Sequence, residues 1–271
     1  MKIQVLVAAM NQTDHSLIEK MNIKTDAIVG NQCNFNSVEK FNIGNQQILY
    51  LNFAEKGVGL NRNNALMRAD GDICLFADDD VVYKDDYAAI IKRAFEELPD
   101  ADAIIFNINT VGTDVGRREN KKIKRVRYYN ALNYNTPRIA VRCTSIRKNN
   151  ILFHSCFGGG TIYNAGEDTL FIIDMLKNGL KLYTYPVSIG LEYQTGSTWF
   201  KGYNRKYLHD KGALFFAISK FFFDVLCIQD LIRHKYIYRS QSLTFWQAYK
   251  IMKLGKKSFK ILRKFDEVNV S

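Results

Sequence analysis

The sequence predicts an α/β fold in which a mostly parallel central sheet is flanked by helices. Short apolar segments with strand composition alternate with helical patterns through the first half of the chain. Residues 3–9 and 73–77 carry no charge, as expected for strands that are covered on both faces. A chain of 271 residues with 47% hydrophobic residues can also bury one substantial core.

Each element follows from a local pattern. A Val-rich apolar run at 3–9 predicts a first strand, and the polar residues after it predict a loop and a short helix at 16–21. Further strands are predicted at 26–30, 47–53, 73–77 and 103–108, with helices at 60–69 and 85–98. Ligands bind such sheets beyond the carboxyl ends of the strands, so Asn11, Asn31 and the aspartates after Ala77 should lie along one edge.

The cysteines predict neither a disulfide framework nor a zinc site. They are odd in number, scattered and without CxxC spacing, which favours a reducing cytosol: Cys33, Cys74, Cys143, Cys156 and Cys227. Residues 1–10 lack the cleavage site and length of a signal peptide. The most apolar stretch, 213–227, is interrupted by Lys220 and Asp224, so no membrane span is predicted.

The formal net charge of +11 predicts attraction to phosphates. A nucleotide, a lipid headgroup, an anionic glycan or a nucleic acid would each satisfy this charge, which by itself does not choose among them. Clear RNA-binding motifs are missing, so a nucleic-acid partner is not expected.

Three consecutive aspartates, Asp78, Asp79 and Asp80, follow the apolar strand at 73–77. In a strand-like turn, residues two apart point the same way, so Asp78 and Asp80 can converge while Asp79 points elsewhere. Converging carboxylates suit Mn²⁺ or Mg²⁺, which keep open positions for phosphate oxygens. The alternative is that these aspartates cap the following helix.

The residues that precede this cluster make its role more specific. Residues 57–72 read GVGLNRNNALMRADGD, and with the strand and DxD motif that follow they resemble the signature of family 2 glycosyltransferases. The matching residues are Arg62, Asn63, Ala69, Gly71, Asp72, Asp78 and Asp80. The resemblance implies a GT-A fold in which Asp80 is the principal metal ligand, Asp78 serves the donor ribose and metal, and Arg62 helps to hold the nucleotide.

The resemblance covers residues 3–200, which implies a catalytic domain at 1–200 and a helical, basic and aromatic extension at 201–271. It implies metal-dependent, inverting transfer from a nucleotide-diphosphate sugar to a hydroxyl of a glycan or lipid-linked saccharide. The nucleotide would contact Ala8, Ala9, Asn11, Asn31, Arg62, Asp78 and Asp79. Members commonly carry a Pro-Thr-x-Asn loop where this chain has Ala8-Ala9-Met10-Asn11, and uridine is the base expected by analogy.

A second acidic pair, Glu167 and Asp168, precedes an apolar helical pattern and follows a Gly-rich segment at 158–160 that could border an acceptor. Taken alone, the pair is typical of a helix N-terminus. Its position resembles the Glu-Asp motif of the family, which implies that Asp168 is the general base and that Glu167 supports it. Relatives often supply a further histidine as a metal or phosphate contact; here Glu192, Gln194 or His209 could take that place.

Two basic regions remain. The run RRENKKIKRVR at 117–127 is typical of a solvated loop, with docking of a phosphate-bearing acceptor as the functional alternative. The tail predicts an aromatic helix within 213–227 and a basic amphipathic helix from Phe245 to Leu262. We expect the first to pack on the catalytic domain; peripheral membrane contact by the last thirty residues and packing are equal alternatives.

Two other functions compete with glycosyl transfer. A sugar nucleotidyltransferase would share the fold and the metal, but residues 5–20 lack the Gly-rich loop with Arg and Lys that binds a triphosphate. A noncatalytic protein that binds membranes or polyanions would explain the charge but leaves both carboxylate clusters unexplained.

Overall fold

A computed structural model describes residues 1–112, 119–193 and 202–268. Its strands are β1 (Ile3–Met10), β2 (Asp26–Gln32), β3 (Ser37–Ile43), β4 (Gln46–Phe53), β5 (Ile73–Asp78), β6 (Val81–Tyr83), β7 (Ala103–Val111), β8 (Lys124–Arg125), β9 (Ile139–Arg142) and β10 (Leu182–Tyr193). Its α-helices are α1 (Leu17–Lys20), α2 (Val58–Arg68), α3 (Tyr87–Glu97), α4 (Cys143–Lys148), α5 (Glu167–Lys177), α6 (Arg205–Ile218), α7 (Phe223–Arg233), α8 (Lys235–Arg239) and α9 (Phe245–Val268). Two 3-10 helices span Tyr128–Asn133 and Thr136–Arg138.

The strands form a single mixed sheet in the order β3-β4-β2-β1-β5-β9-β7-β10-β6, with β8 paired to β10. The α/β class is confirmed, but the expectation of a mostly parallel sheet holds for part of it. Strands β4, β2, β1 and β5 are parallel neighbours. Strand β9 runs antiparallel to both β5 and β7, so it separates that parallel half from the β7–β10 pair.

All the strands predicted from the sequence are present, and the additional ones have weaker local signals. Strand β3 is a half-exposed hairpin partner of β4 at the sheet edge, so it lacks an apolar run. Strand β10 is continuous through Pro186, which lacks the backbone N–H that a sheet ladder needs. The register of β10 against β7 shifts between Thr184 and Ser188, which accommodates this proline as an irregularity.

The sheet separates two apolar layers. One packs α1 and α3 on one face, and the other packs α2, α4 and α5 on the opposite face. In the second layer, Cys74 of β5 and Cys143 of α4 form a disulfide, which corrects the expectation of no disulfide. No local pattern predicts this bond, because the two cysteines are 69 positions apart and become neighbours only through the strand order.

The C-terminal helices form a third apolar cluster, in which α6 and α9 cross closely. A Cβ atom at Gly212 would lie 2.0 Å from the carbonyl oxygen of Met252, and one at Gly255 would lie 1.8 Å from that of His209. The helix expected within 213–227 is two helices, since the chain turns between Ile218 and Phe223. The apolar stripe of α9 packs inward, as the packing alternative required, through residues such as Ala248, Met252 and Phe259.

The expected domain boundary at 200/201 lies outside the described residues. Among the helices that the structure describes, none combines the length and the apolar composition that a bilayer crossing requires.

Candidate active site

The carboxyl ends of the parallel strands gather the first group of predicted residues. Ala8 is paired in register with Asp78, and Ala9 with Asn31, so these positions are neighbours along one edge of the sheet. Asn11 follows in a left-handed conformation, with φ of 52°, and its N–H donates to the carbonyl of Gln32. The predicted convergence along this edge is therefore confirmed.

Asn31 holds the loop that follows β1. Its fully buried side chain accepts from the N–H of Gln12 at 3.0 Å and donates to the carbonyl of Gln12 at 2.9 Å. It also donates to the side-chain oxygen of Asn52 at 2.7 Å. Gln12 in turn reaches Asp79, whose pKa is raised chiefly by burial. The visible role of Asn31 is to fix this loop, and its contact with a nucleotide stays a prediction.

The aspartate cluster does not cap a helix. Asp78 ends β5, and after Asp79 and Asp80 the chain enters β6. The helix-cap alternative therefore fails, because the next helix begins only at Tyr87.

Arg62 joins the two acidic clusters. Its side chain is 3% exposed, and one terminal nitrogen donates to Oδ1 of Asp78 at 2.6 Å. The other terminal nitrogen lies 2.7 Å from Oδ1 of Asp168 and 3.4 Å from Oε1 of Glu167. These neighbours hold the pKa of the guanidinium above its ordinary value, although burial opposes them. The nucleotide contact expected of Arg62 stays a prediction, since both terminal nitrogens face carboxylates of the chain itself.

Packing fixes the position of this guanidinium. Its carbon lies 5.4 Å from the centroid of the Phe153 ring, which stacks on Phe171 at 4.1 Å. The neighbouring Asn63 clamps the same segment, because its amide donates to the carbonyl of Phe153 and accepts from its N–H, both at 2.8 Å. The Arg62-Asn63 pair of the motif thus connects α2 to the segment that contains Phe153.

Glu167 and Asp168 occupy the first turn of α5, after the N-cap Gly166. Gly166 takes the N-cap position, and both carboxylates turn toward Arg62. Burial raises the pKa of Glu167 to about 7, and the charge of Asp168 adds to this, while Arg62 opposes it. The sequence predicted both residues, but their ion pairs depend on a helix more than 100 positions away.

Thr136 is a site residue that the sequence did not reveal. It is fully buried in a 3-10 turn, and its hydroxyl forms a short hydrogen bond with Oδ1 of Asp168. The adjoining Pro137 marks a turn in the sequence, but nothing local links that turn to α5.

The Gly-rich segment borders the same acidic pair. The carbonyl of Gly159 accepts from the N–H of Val58 at 3.1 Å, which anchors the segment to the first turn of α2. A Cβ atom at Gly158 would lie 2.9 Å from Oε2 of Glu167, so the backbone passes directly beside that carboxylate. Contact with an acceptor stays a prediction.

The candidates for a third metal contact separate clearly. Glu192 is buried on β10, in register with Val81, so it lies beside the turn that carries Asp80. His209 is engaged elsewhere, with Asp210 at 3.1 Å and Ser258 at 3.0 Å. Gln194 lies outside the described residues, as do Arg117 and Arg118 of the basic run. Within the described ranges, no group of three or more His, Cys, Asp or Glu side chains is placed to hold an ion.

One known protein family matches the part of the chain that contains Arg62 and the aspartates. The model of Glycosyl transferase family 2 matches residues 35–152, which include α2 and the three aspartates. The chain contains a family 2 glycosyltransferase domain. The match ends before Glu167 and Asp168. The contact between this pair and the motif residue Arg62 of the glycosyltransferase is therefore seen in the structure and lies outside the family match. No curated protein sequence matches the chain significantly.

Solved structures show the same fold at low sequence identity. TarS 1-349 of S. aureus in complex with UDP-GlcNAc has a TM-score of 0.61 and 15% identity, over 86% of this chain and 72% of that one. The complex of the same protein with UDP has a TM-score of 0.58 and 16% identity, over 90% of this chain and 73% of that one. The expected GT-A fold of the glycosyltransferase is thereby confirmed.

Proposed function

We propose that this glycosyltransferase moves a sugar from a UDP-sugar to a hydroxyl of a glycan or lipid-linked saccharide, with inversion at the anomeric carbon. The observation that carries the proposal is the bridge from Asp78 through Arg62 to Asp168. This bridge holds the DxD turn and the predicted base in a fixed relation at the carboxyl edge of the sheet, where ligands of such sheets bind. The UDP-GlcNAc and UDP complexes of TarS support uridine as the base.

In this mechanism Asp168 accepts the proton of the acceptor hydroxyl while that oxygen forms a bond to the anomeric carbon. The bond between that carbon and the diphosphate oxygen breaks in the same displacement, which inverts the configuration. Arg62 and Thr136 keep Oδ1 of Asp168 in place. Glu167 has a supporting role beside the base Asp168. Burial next to Asp168 makes ionisation of the Glu167 carboxyl group unfavourable.

Asp80 and Asp78 would hold Mn²⁺ or Mg²⁺. Their hard carboxylate oxygens fit either ion, and two carboxylates are enough where substrate phosphates complete the coordination. The surrounding charge also favours a cation, because one guanidinium faces the carboxylates of Asp78 and Asp168 and the DxD turn adds two more. When bound, the ion would neutralise charge that develops on the departing diphosphate. Asp78 is shared with Arg62, so Asp80 is the principal ligand.

The first experiment is a screen of nucleotide-sugars for thermal stabilisation of the protein with and without Mn²⁺, since a ligand that binds the native state raises Tm. We expect a UDP-sugar to raise Tm in the presence of Mn²⁺ and to have little effect without it. Stabilisation by no activated sugar under either condition would contradict the proposal.

Variants then assign the roles. Asp80→Asn should lose the Mn²⁺-dependent rise in Tm, whereas Asp168→Asn should keep it and lose turnover. A matched control is Asp86→Asn, because Asp86 precedes α3 on the exposed surface and makes no capping hydrogen bond. Turnover that survives in both Asp80→Asn and Asp168→Asn would refute the assigned roles.

A further inference from the structure

The outer face of α7 is apolar and exposed. Val225, Ile228 and Ile232 follow one another at helical spacing, and they are 59%, 40% and 64% exposed. Phe221 and Phe222 continue this face in the turn before the helix, at 86% and 55% exposed. Scattered apolar residues are ordinary on a protein surface. Five exposed apolar side chains on one face form a patch, and such patches mark sites of interaction with another molecule.

The acidic residues of α7 do not compete with this face. Asp224 accepts a hydrogen bond of 2.6 Å from the hydroxyl of Tyr249. Asp230 is 10% exposed and pairs with Lys211 at 2.6 Å and with His234 at 2.9 Å. Both carboxylates are thus held by neighbouring side chains, and neither belongs to the apolar row of Val225, Ile228 and Ile232.

The neighbouring helix α9 adds positive charge. Between Phe245 and Phe265 it contains no acidic residue. Its inner side packs on α6, and its outer side exposes Trp246 and Leu254, at 66% and 57%, among lysines. These exposed lysines are Lys250, Lys253, Lys257, Lys260 and Lys264.

The two helices lie side by side. Besides the hydrogen bond between Tyr249 and Asp224, the ammonium of Lys256 lies 4.2 Å from the centroid of the Phe223 ring. The apolar face of α7 and the basic face of α9 therefore border the same contact, and we call them together the α7–α9 surface.

We propose that the α7–α9 surface docks on an anionic lipid bilayer. Apolar side chains flanked by lysines suit the boundary between headgroups and acyl chains, where the lysines meet lipid phosphates. Charge complementarity favours an anionic bilayer over a second copy of the chain as the partner. Two copies in contact through this surface would place lysines against lysines. The inward stripe of α9 is already buried, so α7 rather than the apolar stripe of the last thirty residues supplies most of the inserted surface.

The test is cosedimentation of the full chain with vesicles of phosphatidylcholine alone or with about a third phosphatidylglycerol. The protein should sediment with the anionic vesicles only, and added salt should weaken this binding because it screens the charges. Phe221→Ser/Ile232→Ser and Lys250→Glu/Lys257→Glu should each weaken the apparent binding on the order of tenfold or more.

The matched control is Val38→Ser/Lys40→Glu, which changes one exposed apolar residue and one exposed lysine on β3, at the far edge of the sheet. It should bind as the unmodified protein does. Light scattering on each variant reports the oligomeric state, and melting confirms that it is folded. A Phe221→Ser/Ile232→Ser protein that binds vesicles normally overturns the proposal, and a loss of self-association in that variant would identify a second copy as the occupant instead.

Discussion

Arg62 donates a hydrogen bond of 2.7 Å to Asp168, a residue 106 positions further along the chain. The same guanidinium holds Asp78 at 2.6 Å, so one buried cation links the end of β5 to the first turn of α5. Because the guanidinium is planar and lies over the Phe153 ring, it fixes the direction of each carboxylate as well as its distance.

Replacement of Arg62 should therefore affect both stability and activity. Arg62→Met leaves partly buried carboxylates without their cation, and we expect a loss of up to about 3 to 5 kcal/mol in the free energy of unfolding. Arg62→Lys keeps the charge but cannot bridge several carboxylates, so it should regain part of the stability and little of the turnover. Urea denaturation and initial rates measure the two effects. The control is Arg68→Met on the exposed end of α2, expected to change stability by about 0.5 kcal/mol or less.

Glu167 should make stability depend on pH. Its pKa is 4.5 when unfolded and about 7 in the folded chain, where burial and Asp168 outweigh Arg62. Between these values the folded state retains a proton that the unfolded state releases, so stability falls as pH rises from about 4.5 to about 7, by roughly 2 to 3 kcal/mol.

Glu167→Gln removes that proton equilibrium, so the variant should gain stability relative to the unmodified protein as pH rises. Urea denaturation at several pH values across this window measures the difference. Glu96→Gln, on the exposed side of α3, serves as the control and should follow the unmodified protein. Parallel pH curves for Glu167→Gln and the unmodified protein would show that Glu167 titrates in the same range folded and unfolded.

Thr136 should act as a positioning residue for Asp168. Thr136→Val keeps the shape of the side chain but removes the hydroxyl that donates to Oδ1 of Asp168. A hydrogen bond to a charged group contributes about 1.5 to 3 kcal/mol, so kcat should fall roughly tenfold to a hundredfold. KM for the donor should change little, and Thr136→Ser should restore most of kcat. An unchanged kcat in Thr136→Val would remove this residue from the site.

The crossing of α6 and α9 should not accept a methyl group. In an isolated helix, Gly255→Ala would stabilise by up to about 1 kcal/mol. Here the added Cβ would lie 1.8 Å from the carbonyl of His209, so we expect the opposite sign and a loss of at least 1 to 3 kcal/mol, roughly the cost of overpacking. Thermal melting measures the sign directly. Lys257→Ala on the outer face of α9 is the control, and a stabilised Gly255→Ala would mean that the helices separate at little cost.

The sequence predicted those parts of the protein that depend on local pattern. The apolar runs gave the strands from β1 to β7 apart from β3 and β6, and the helical patterns gave α2 and α3, because burial and periodicity are recorded within each segment. The motif from Gly57 to Asp80 identified the family that the domain match confirms. The pair at 167 and 168 was found through its resemblance, since its local pattern is equally that of a helix start.

Tertiary structure alone decided which distant residues meet. The antiparallel insertion of β9 made the sheet mixed and brought Cys74 to Cys143, although nothing near either cysteine marks a pairing. Thr136 joined Asp168, and the guanidinium of Arg62 faced the carboxylates of the chain, through packing that sequence separation conceals. Local interactions can be predicted from neighbouring residues in the sequence. An ion pair across more than 100 positions forms only when strand order and helix packing bring its partners together.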